Sequence, residues 1–118
     1  MKPHERDPLL YLEDIKLSIE RITQYLDSMD FIAFQDNYMV IDAVIRNFEV
    51  IGEASKRLSS EIKLKYPNVP WEEMYRLRNK ISHEYFGIDH EIIWSIAKEQ
   101  LPQNYQDILE VIEREARI

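Results

Sequence analysis

The sequence predicts an all-α protein, an antiparallel bundle of four to five main helices. Only two of its 118 residues are glycine, and Leu, Ile, Glu, Lys and Arg are common, which favours helices over an all-β fold. Apolar residues also recur at spacings of three and four along most of the chain. The apolar fraction of 45% and the charged fraction of 31% indicate a folded globular chain rather than a disordered one. The length suits a single domain, residues 1–118.

The first helix is predicted from about residue 8 to residue 28. Asp7 is a candidate N-cap, and Pro8 stands at the first helical position, where a missing N–H has no cost. The stripe that this helix would bury has helical spacing and consists of Leu12, Ile15, Ile19, Ile22 and Leu26. Asp30 is predicted to cap a short turn that runs through Phe34.

A second long helix is predicted to begin after Asp36 or Asn37. Its buried stripe is expected to be Val40, Val44, Asn47 or Phe48, Ile51, Ala54 or Ser55, and Leu58. Gly52 lies inside this helix, where glycine costs roughly 1 kcal/mol relative to alanine. We therefore expect another helix to pass close to Gly52. Arg46, Glu49 and Glu53 share one face, as salt bridges or as support for a site.

The remaining helices are predicted from prolines, caps and apolar spacing. Ser59 or Ser60 caps a short helix that ends before residue 67, and Pro70 stands where the next helix can begin. That helix is expected to end near residue 85 or 86, with Gly87 as its C′ residue. The stripe of this helix would be Trp71, Met74, Leu77 or Arg78, Ile81 and Tyr85. The next helix, capped by Asp89, would bury Ile92, Ile93, Ile96 and Ala97. Pro102 is expected to break or kink the pattern before a last helix marked by Tyr105, Ile108, Leu109, Ile112 and Ala116.

Composition excludes several classes of protein. The chain has no cysteine, so it has no disulfide framework, thiolate metal site or cysteine nucleophile. No apolar run approaches the roughly 20 residues that span a bilayer, and the first ten residues lack a signal-peptide pattern. We therefore predict a cytoplasmic protein without membrane contact. No Gly-rich phosphate loop and no zinc-binding His-Glu-x-x-His spacing occur, and no cofactor or metal is predicted.

Charge is unevenly distributed along the chain. The net charge is −7, which by itself argues against binding to nucleic acid. The segment from Lys56 to Lys80, however, has seven basic and three acidic residues, a balance of +4, and the rest of the chain carries −11. This segment is either an ordinary solvated basic face or the cationic part of a binding site.

The stretch RLRNKISHEYFGID, residues 76–89, closes this basic segment and concentrates polar side chains. On an ideal helix, Arg78 and His83 are about 140° apart around the axis and about 7.5 Å apart along it. They flank an edge on which Asn79 and Ser82 lie. Arginine binds phosphate oxygens through paired hydrogen bonds, and histidine can accept and donate a proton near neutral pH. Asparagine can orient a hydroxyl or an imidazole.

These residue types suit cleavage of RNA, whose own 2′-OH is the nucleophile, so that no metal is required. Arg78 and His83 are the candidate catalytic residues, with Asn79 and Ser82 in support. Two proton transfers are easier with two histidines, which a two-fold dimer would bring together. The spacing alone also fits the polar end of a helix, where the helix dipole stabilises His83 without any function.

Three segments, RDPLLYLEDI, AVIRNFEVIGEASKRL and YPNVPWEEMYRLRNKISHEYFGID, resemble the HepT-like family, a branch of the HEPN superfamily. The resemblance runs from about residue 6 to residue 112 and implies one HEPN/HepT-like domain that forms an all-α homodimer. It also implies a metal-independent ribonuclease with an Arg-x4-His-x-Tyr motif. Here that motif is complete, with Arg78 and His83 as catalytic residues, Asn79 in support, and Tyr85.

The resemblance further implies a regulatory partner. The chain would be the toxin of a type VII toxin–antitoxin system that cleaves RNA, either tRNA or mRNA. A minimal, MntA-like nucleotidyltransferase antitoxin would silence it by transferring AMP to Tyr85. Two alternatives stay open: a non-catalytic helical binding partner of a nucleotidyltransferase, and a structural helical dimer whose basic segment binds acidic partners.

Overall fold

The computed structural model describes residues 6–117, apart from the side chain of Tyr85. This part of the chain contains α-helices, a 3-10 turn and a π-helical turn, and no strand. In chain order the elements are α1 (Pro8–Leu26), α2 (Phe31–Gln35), α3 (Tyr38–Arg57), α4 (Ser60–Lys65), α5 (Trp71–His83), the 3-10 turn (Tyr85–Gly87), α6 (His90–Ser95), the π-helical turn (Ile96–Gln100) and α7 (Leu101–Ala116). The predicted all-α bundle is confirmed, with α1, α3, α5 and α7 as its four long helices.

The core lies between the long helices. α3 is central, because it packs against α1 on one side and α5 on the other, while α1 also packs against α7. All the predicted core residues of α1 are buried, and the buried apolar side chains of the described residues form one continuous cluster. Phe31 and Phe34 of α2 contact Trp94 of α6, with ring centroids 6.0 and 5.3 Å away, and so attach the short helices to the bundle.

The predicted N-caps are confirmed. Each side chain accepts a hydrogen bond from a backbone N–H in the first turn of its helix, which satisfies one of the donors that have no partner within the helix. The capping residues and donor distances are Asp7 (2.9 Å), Asp30 (2.8 Å), Asn37 (3.1 Å), Ser59 (3.3 Å) and Asp89 (2.8 Å).

α5 passes close to α3 at Gly52, as the sequence predicts. A Cβ atom at this position would lie 2.2 Å from the Cβ of Arg78 and 2.7 Å from the backbone oxygen of Met74. Both distances are far shorter than a van der Waals contact, so only glycine allows this approach. The atom that Gly52 accommodates belongs to a predicted site residue, which links the packing of the bundle to the site.

The predicted end of α5 is wrong by two or three residues. α5 ends at His83, the Glu84 N–H donates to the Lys80 oxygen over 2.9 Å, and a 3-10 turn follows. Gly87 is not a C′ residue, since no glycine of the described chain has a positive φ angle. The chain leaves the helix at Glu84, with φ −123° and ψ 30°, before the conformational freedom of Gly87 is needed.

Two smaller expectations differ from the structure. Val40 is only half-buried, because the inward face of α3 is rotated toward Ile41 and Ile45, which are buried. Ile92 is 42% exposed, whereas Ile93 is buried as predicted. The predicted interruption at Pro102 is confirmed: a π-helical turn precedes it, and its ring lies in the first turn of α7, where its missing N–H costs no bond. No helix within residues 6–117 has the length and apolar character needed to cross a membrane.

Candidate active site

One side of α5 carries the predicted site residues. We define the polar face of α5 as Tyr75, Arg78, Asn79, Ser82 and His83, which follow the spacing i, i+3, i+4, i+7, i+8 and share an arc of about 140°. Met74 and Ile81 lie about 40° and 60° around the axis from Arg78 and are buried in the core, and so is Trp71, one turn before Tyr75. Their burial places Arg78 at the edge of the polar face nearest the core and His83 at the edge farthest from it.

Arg78 is held on three sides. Its Cβ packs against Gly52, its Nε lies 3.3 Å from Oε2 of Glu53, and its Nη1 donates to Oδ1 of Asn79 over 3.1 Å. The side chain is 35% exposed, so its remaining N–H groups can reach an incoming ligand. The structure thus brings Arg78 and Asn79 together as predicted, and it shows that Glu53 pairs with Arg78.

Arg78 also forms part of the wall of a groove of about 270 Å³. The other lining residues come from the start of the described chain and from α1 and α3: Arg6, Tyr11, Asp14, Arg46, Glu49, Val50, Glu53, Ala54 and Arg57. Ion pairs join Arg6 to Asp14 over 2.7 Å and Arg57 to Glu53 over 3.0 Å. Much of the charge in this groove is therefore already compensated.

His83 and Ser82 lie apart from this arrangement. Both are exposed in the last turn of α5, and neither side chain has a hydrogen bond or an ion pair to another described residue. Neither residue lines the groove beside Arg78. Within one chain, the helix holds His83 at the far edge of the polar face, as the five-residue spacing predicts. The side chain of Tyr85 lies outside the described part of the structure, so its role stays a prediction.

The sequence reasoning did not single out Tyr75, and it named Lys56 only as one cation of the basic segment. The Nζ atom of Lys56 on α3 lies 5.2 Å from the centroid of the Tyr75 ring. The Asn79 amide and then the Lys56 ammonium lower the pKa of the Tyr75 phenol, and the charge of Arg78 lowers it further. The spacing of Tyr75, three residues before Arg78 and four before Asn79, is the signal that could have identified it.

No three His, Asp or Glu side chains within residues 6–117 converge as they would around a metal ion. Glu53 pairs with Arg78, and the charge of Arg78 contributes to lowering the pKa of the Tyr75 phenol. The chemistry that these described groups can supply is recognition of an anion by Arg78 and its neighbours, with His83 at the other edge for proton transfer.

The fold and the site define a helical-bundle protein whose arginine and histidine share the polar face of one helix. The family described as "Ribonuclease HepT-like" matches residues 15–112, and the chain belongs to this family.

Several named proteins are similar to the chain over most of both lengths. "Putative RNase MJ1380" of Methanocaldococcus jannaschii is 40% identical over 104 residues, which are 88% of this chain and 95% of that protein. "Putative RNase MJ0127" of the same organism is 42% identical over 92% of this chain and 89% of its own length. "Probable ribonuclease HepT" of Thermococcus cleftensis is 41% identical over 86% and 90%. No solved structure gives a significant match.

Proposed function

We propose that the protein is a metal-independent endoribonuclease and acts as the toxin of a type VII toxin–antitoxin system. The observation that carries the proposal is the fixed Arg78–Asn79 pair on the helix that ends with His83. Membership of the HepT-like ribonuclease family supports the same activity, as do the relatives that are named as ribonucleases. The proposed substrate is RNA, either tRNA or mRNA.

In the proposed reaction, the His83 imidazole removes the proton of a ribose 2′-OH. The 2′ oxygen then attacks the adjacent phosphorus, and the bond from phosphorus to the 5′ oxygen breaks. A second imidazole, in its protonated form, donates a proton to the leaving 5′ oxygen. Arg78 stabilises the additional negative charge on the phosphorane-like transition state. The products are a 2′,3′-cyclic phosphate and a 5′-OH.

The second imidazole is proposed to come from a second copy of the chain. Each chain has one histidine on the polar face of α5, and it is exposed and separated from Arg78 by the helical spacing. A two-fold axis beside the end of α5 would place both His83 side chains in one cleft with both Arg78 side chains. We therefore propose that the active form is a homodimer.

The test is cleavage of a labelled RNA by the purified full chain in the presence of EDTA. We expect cleavage with cyclic phosphate ends and a loss of about 100-fold to 10,000-fold in His83→Ala and Arg78→Ala, the range that general acid–base groups contribute. His90→Ala is the matched control, because His90 begins α6 and lies outside the polar face of α5. Unchanged cleavage by His83→Ala would refute the mechanism, and loss of activity in EDTA would refute metal independence.

We propose that AMP transfer to Tyr85 by a nucleotidyltransferase antitoxin controls this activity. An added nucleotide two residues after His83 would bring a bulky, negatively charged group to the end of the site and would compete with the substrate phosphate. Mass spectrometry of the protein, incubated with a nucleotidyltransferase encoded beside it and with ATP, should show one added AMP on Tyr85 and none in Tyr85→Phe. Persistent absence of that mass with an active partner would refute this control. If the wild type instead bound the nucleotidyltransferase tightly and never cleaved RNA, a non-catalytic binding partner would be the better description.

A further inference from the structure

Tyr75 is the first residue of the polar face of α5, and Lys56 reaches it from α3. We propose that Lys56 and Tyr75 form a second phosphate-binding subsite, which holds the RNA backbone next to the phosphate gripped by Arg78. This inference rests on the proposed ribonuclease function. It assigns a binding role to two residues that lie outside the Arg-x4-His motif.

Lys56 differs from most other cations of the basic segment 56–80, although Lys63 and Lys80 also have no carboxylate within 4.0 Å among residues 6–117. Four of the cations lie within 4.0 Å of a carboxylate: Arg57 at 3.0 Å from Glu53, Lys65 at 2.9 Å from Glu115, Arg76 at 3.7 Å from Glu72, and Arg78 at 3.3 Å from Glu53. Lys56 has no such partner among residues 6–117, and its ammonium lies over the Tyr75 ring instead. An incoming phosphate can therefore pair with Lys56 without first displacing a carboxylate.

Tyr75 differs in the same way from two other tyrosines. The hydroxyls of Tyr66 and Tyr105 each donate to a carboxylate over 2.5 Å, and these bonds together with burial raise their pKa values. The groups that act on the Tyr75 phenol are an amide and cations, with no carboxylate among them. No acceptor for its own proton is found in residues 6–117. Its O–H group is thus available to donate to an anionic oxygen.

The spacing along α5 suits a strand that runs along the helix. Tyr75 lies about 4.5 Å along the axis from Arg78 and about 12 Å from His83. A stacked strand advances about 3.4 Å per nucleotide, so the distance of about 12 Å from Tyr75 to His83 spans more than one nucleotide. A backbone phosphate at Arg78 and His83 would therefore have a neighbouring phosphate within reach of Tyr75 and Lys56. Lys63, whose Nζ donates to the Lys56 backbone oxygen over 3.3 Å, adds a further positive charge near the same end.

The test measures binding and cleavage separately. Affinity for a 2′-O-methyl oligoribonucleotide, which lacks the nucleophile, is measured for the full chain over a range of salt concentrations. Lys56→Gln should weaken binding roughly tenfold and reduce the slope of log Kd against log salt by about 0.7, the value for one phosphate contact on a single strand. Tyr75→Phe should weaken binding by a similar factor without changing the slope, because it removes a hydrogen bond and no charge.

Matched variants isolate the subsite. Lys65→Gln and Tyr105→Phe make the same two changes at residues that already contact a carboxylate, Glu115 and Glu20 respectively. Both variants should leave the RNA affinity and the salt slope unchanged. Lys56→Arg keeps the positive charge and should restore the slope. In cleavage assays Lys56→Gln and Tyr75→Phe should raise KM while kcat stays within about twofold, because the contacts are made equally in the ground state and the transition state.

The outcomes also separate this inference from the function on which it rests. If the wild type cleaves RNA and both variants keep its Kd and salt slope, the subsite is refuted and the ribonuclease proposal stands. If the wild type neither binds nor cleaves RNA, both are refuted. Competition by a polyglutamate chain as effective as competition by RNA would indicate an acidic protein as the occupant and would also overturn the inference.

Discussion

The two ends of the polar face of α5 are built differently. At the α3–α5 crossing, Arg78 packs on Gly52, pairs with Glu53 and donates to Asn79. At the end of α5, His83 is exposed without a described polar partner, and the chain continues into a 3-10 turn. The bundle therefore positions the arginine of the motif, whereas the described chain leaves the histidine to be oriented by whatever docks at the helix end.

This difference suits the chemistry proposed for each residue. A guanidinium that stabilises developing charge acts best when its orientation is fixed before the reaction, because no reorganisation is then needed. An imidazole that must receive and return a proton needs access to the substrate. A second copy of the chain, or the RNA itself, can supply the polar contacts that orient it. The variants below test whether the two ends respond separately.

The largest effect is expected for Gly52→Ala. The added methyl group would meet the Cβ of Arg78 and the backbone oxygen of Met74, neither of which can move without shifting α5. Overpacking of this kind costs about 1–3 kcal/mol, of which a helical alanine recovers about 1 kcal/mol. We expect the free energy of unfolding in urea to fall and kcat to fall more than tenfold, because Arg78 is displaced. Wild-type stability and activity in this variant would show that α5 is not fixed at the crossing.

A smaller effect is expected for Glu53→Gln, which removes the carboxylate beside Arg78 but keeps its shape. The Glu53 and Arg78 side chains are 36% and 35% exposed, so stability should change by less than about 1 kcal/mol. We expect kcat to fall roughly tenfold because Arg78 loses its orientation, while RNA affinity stays equal or rises because a negative charge is gone. Glu72→Gln, which unpairs Arg76 on the exposed side of α5, should leave both unchanged. Weaker RNA binding by Glu53→Gln would instead indicate that Glu53 contacts the substrate.

Much of this arrangement could be predicted from the sequence, because helical spacing and N-caps are local signals. Gly52 predicted a close helix contact, since a glycine inside a strong helix needs a reason. The identity of the contacting residue, Arg78, could not be predicted, because it depends on the crossing of two helices that are distant in sequence. The contact of Lys56 with Tyr75 was missed for the same reason, although the spacing of Tyr75 along α5 was a local signal. The end of α5 was missed because Gly87 suggested a left-handed cap that the backbone does not use.

The surroundings of Tyr75 predict an order of titration among the tyrosines. Donors and cations favour the phenolate of Tyr75 and lower its pKa, whereas carboxylates disfavour the phenolates of Tyr66 and Tyr105 and raise theirs. In a near-ultraviolet pH titration, the Tyr75 phenolate should therefore form at a lower pH than those of Tyr66 and Tyr105. Tyr75→Phe should remove this early component, and Lys56→Gln should move it to higher pH. An early component that survives in Tyr75→Phe would assign it to another tyrosine.

The smallest effect is expected at the second glycine, and it has the opposite sign to that of Gly52→Ala. A Cβ atom at Gly87 would meet nothing within 4 Å, and the φ angle of Gly87 is not positive. Alanine at such a position restricts the unfolded chain and stabilises by about 0.4–1 kcal/mol. We therefore expect Gly87→Ala to raise the free energy of unfolding slightly, measured in the same urea series. Because the two variants make the same chemical change, opposite signs would attribute the loss at Gly52 to its contact with Arg78 and Met74 rather than to the loss of a glycine. A destabilised Gly87→Ala would show that the 3-10 turn is constrained as firmly as the α3–α5 crossing at Gly52. The contrast between a fixed Arg78 and a free helix end at His83 would then be wrong.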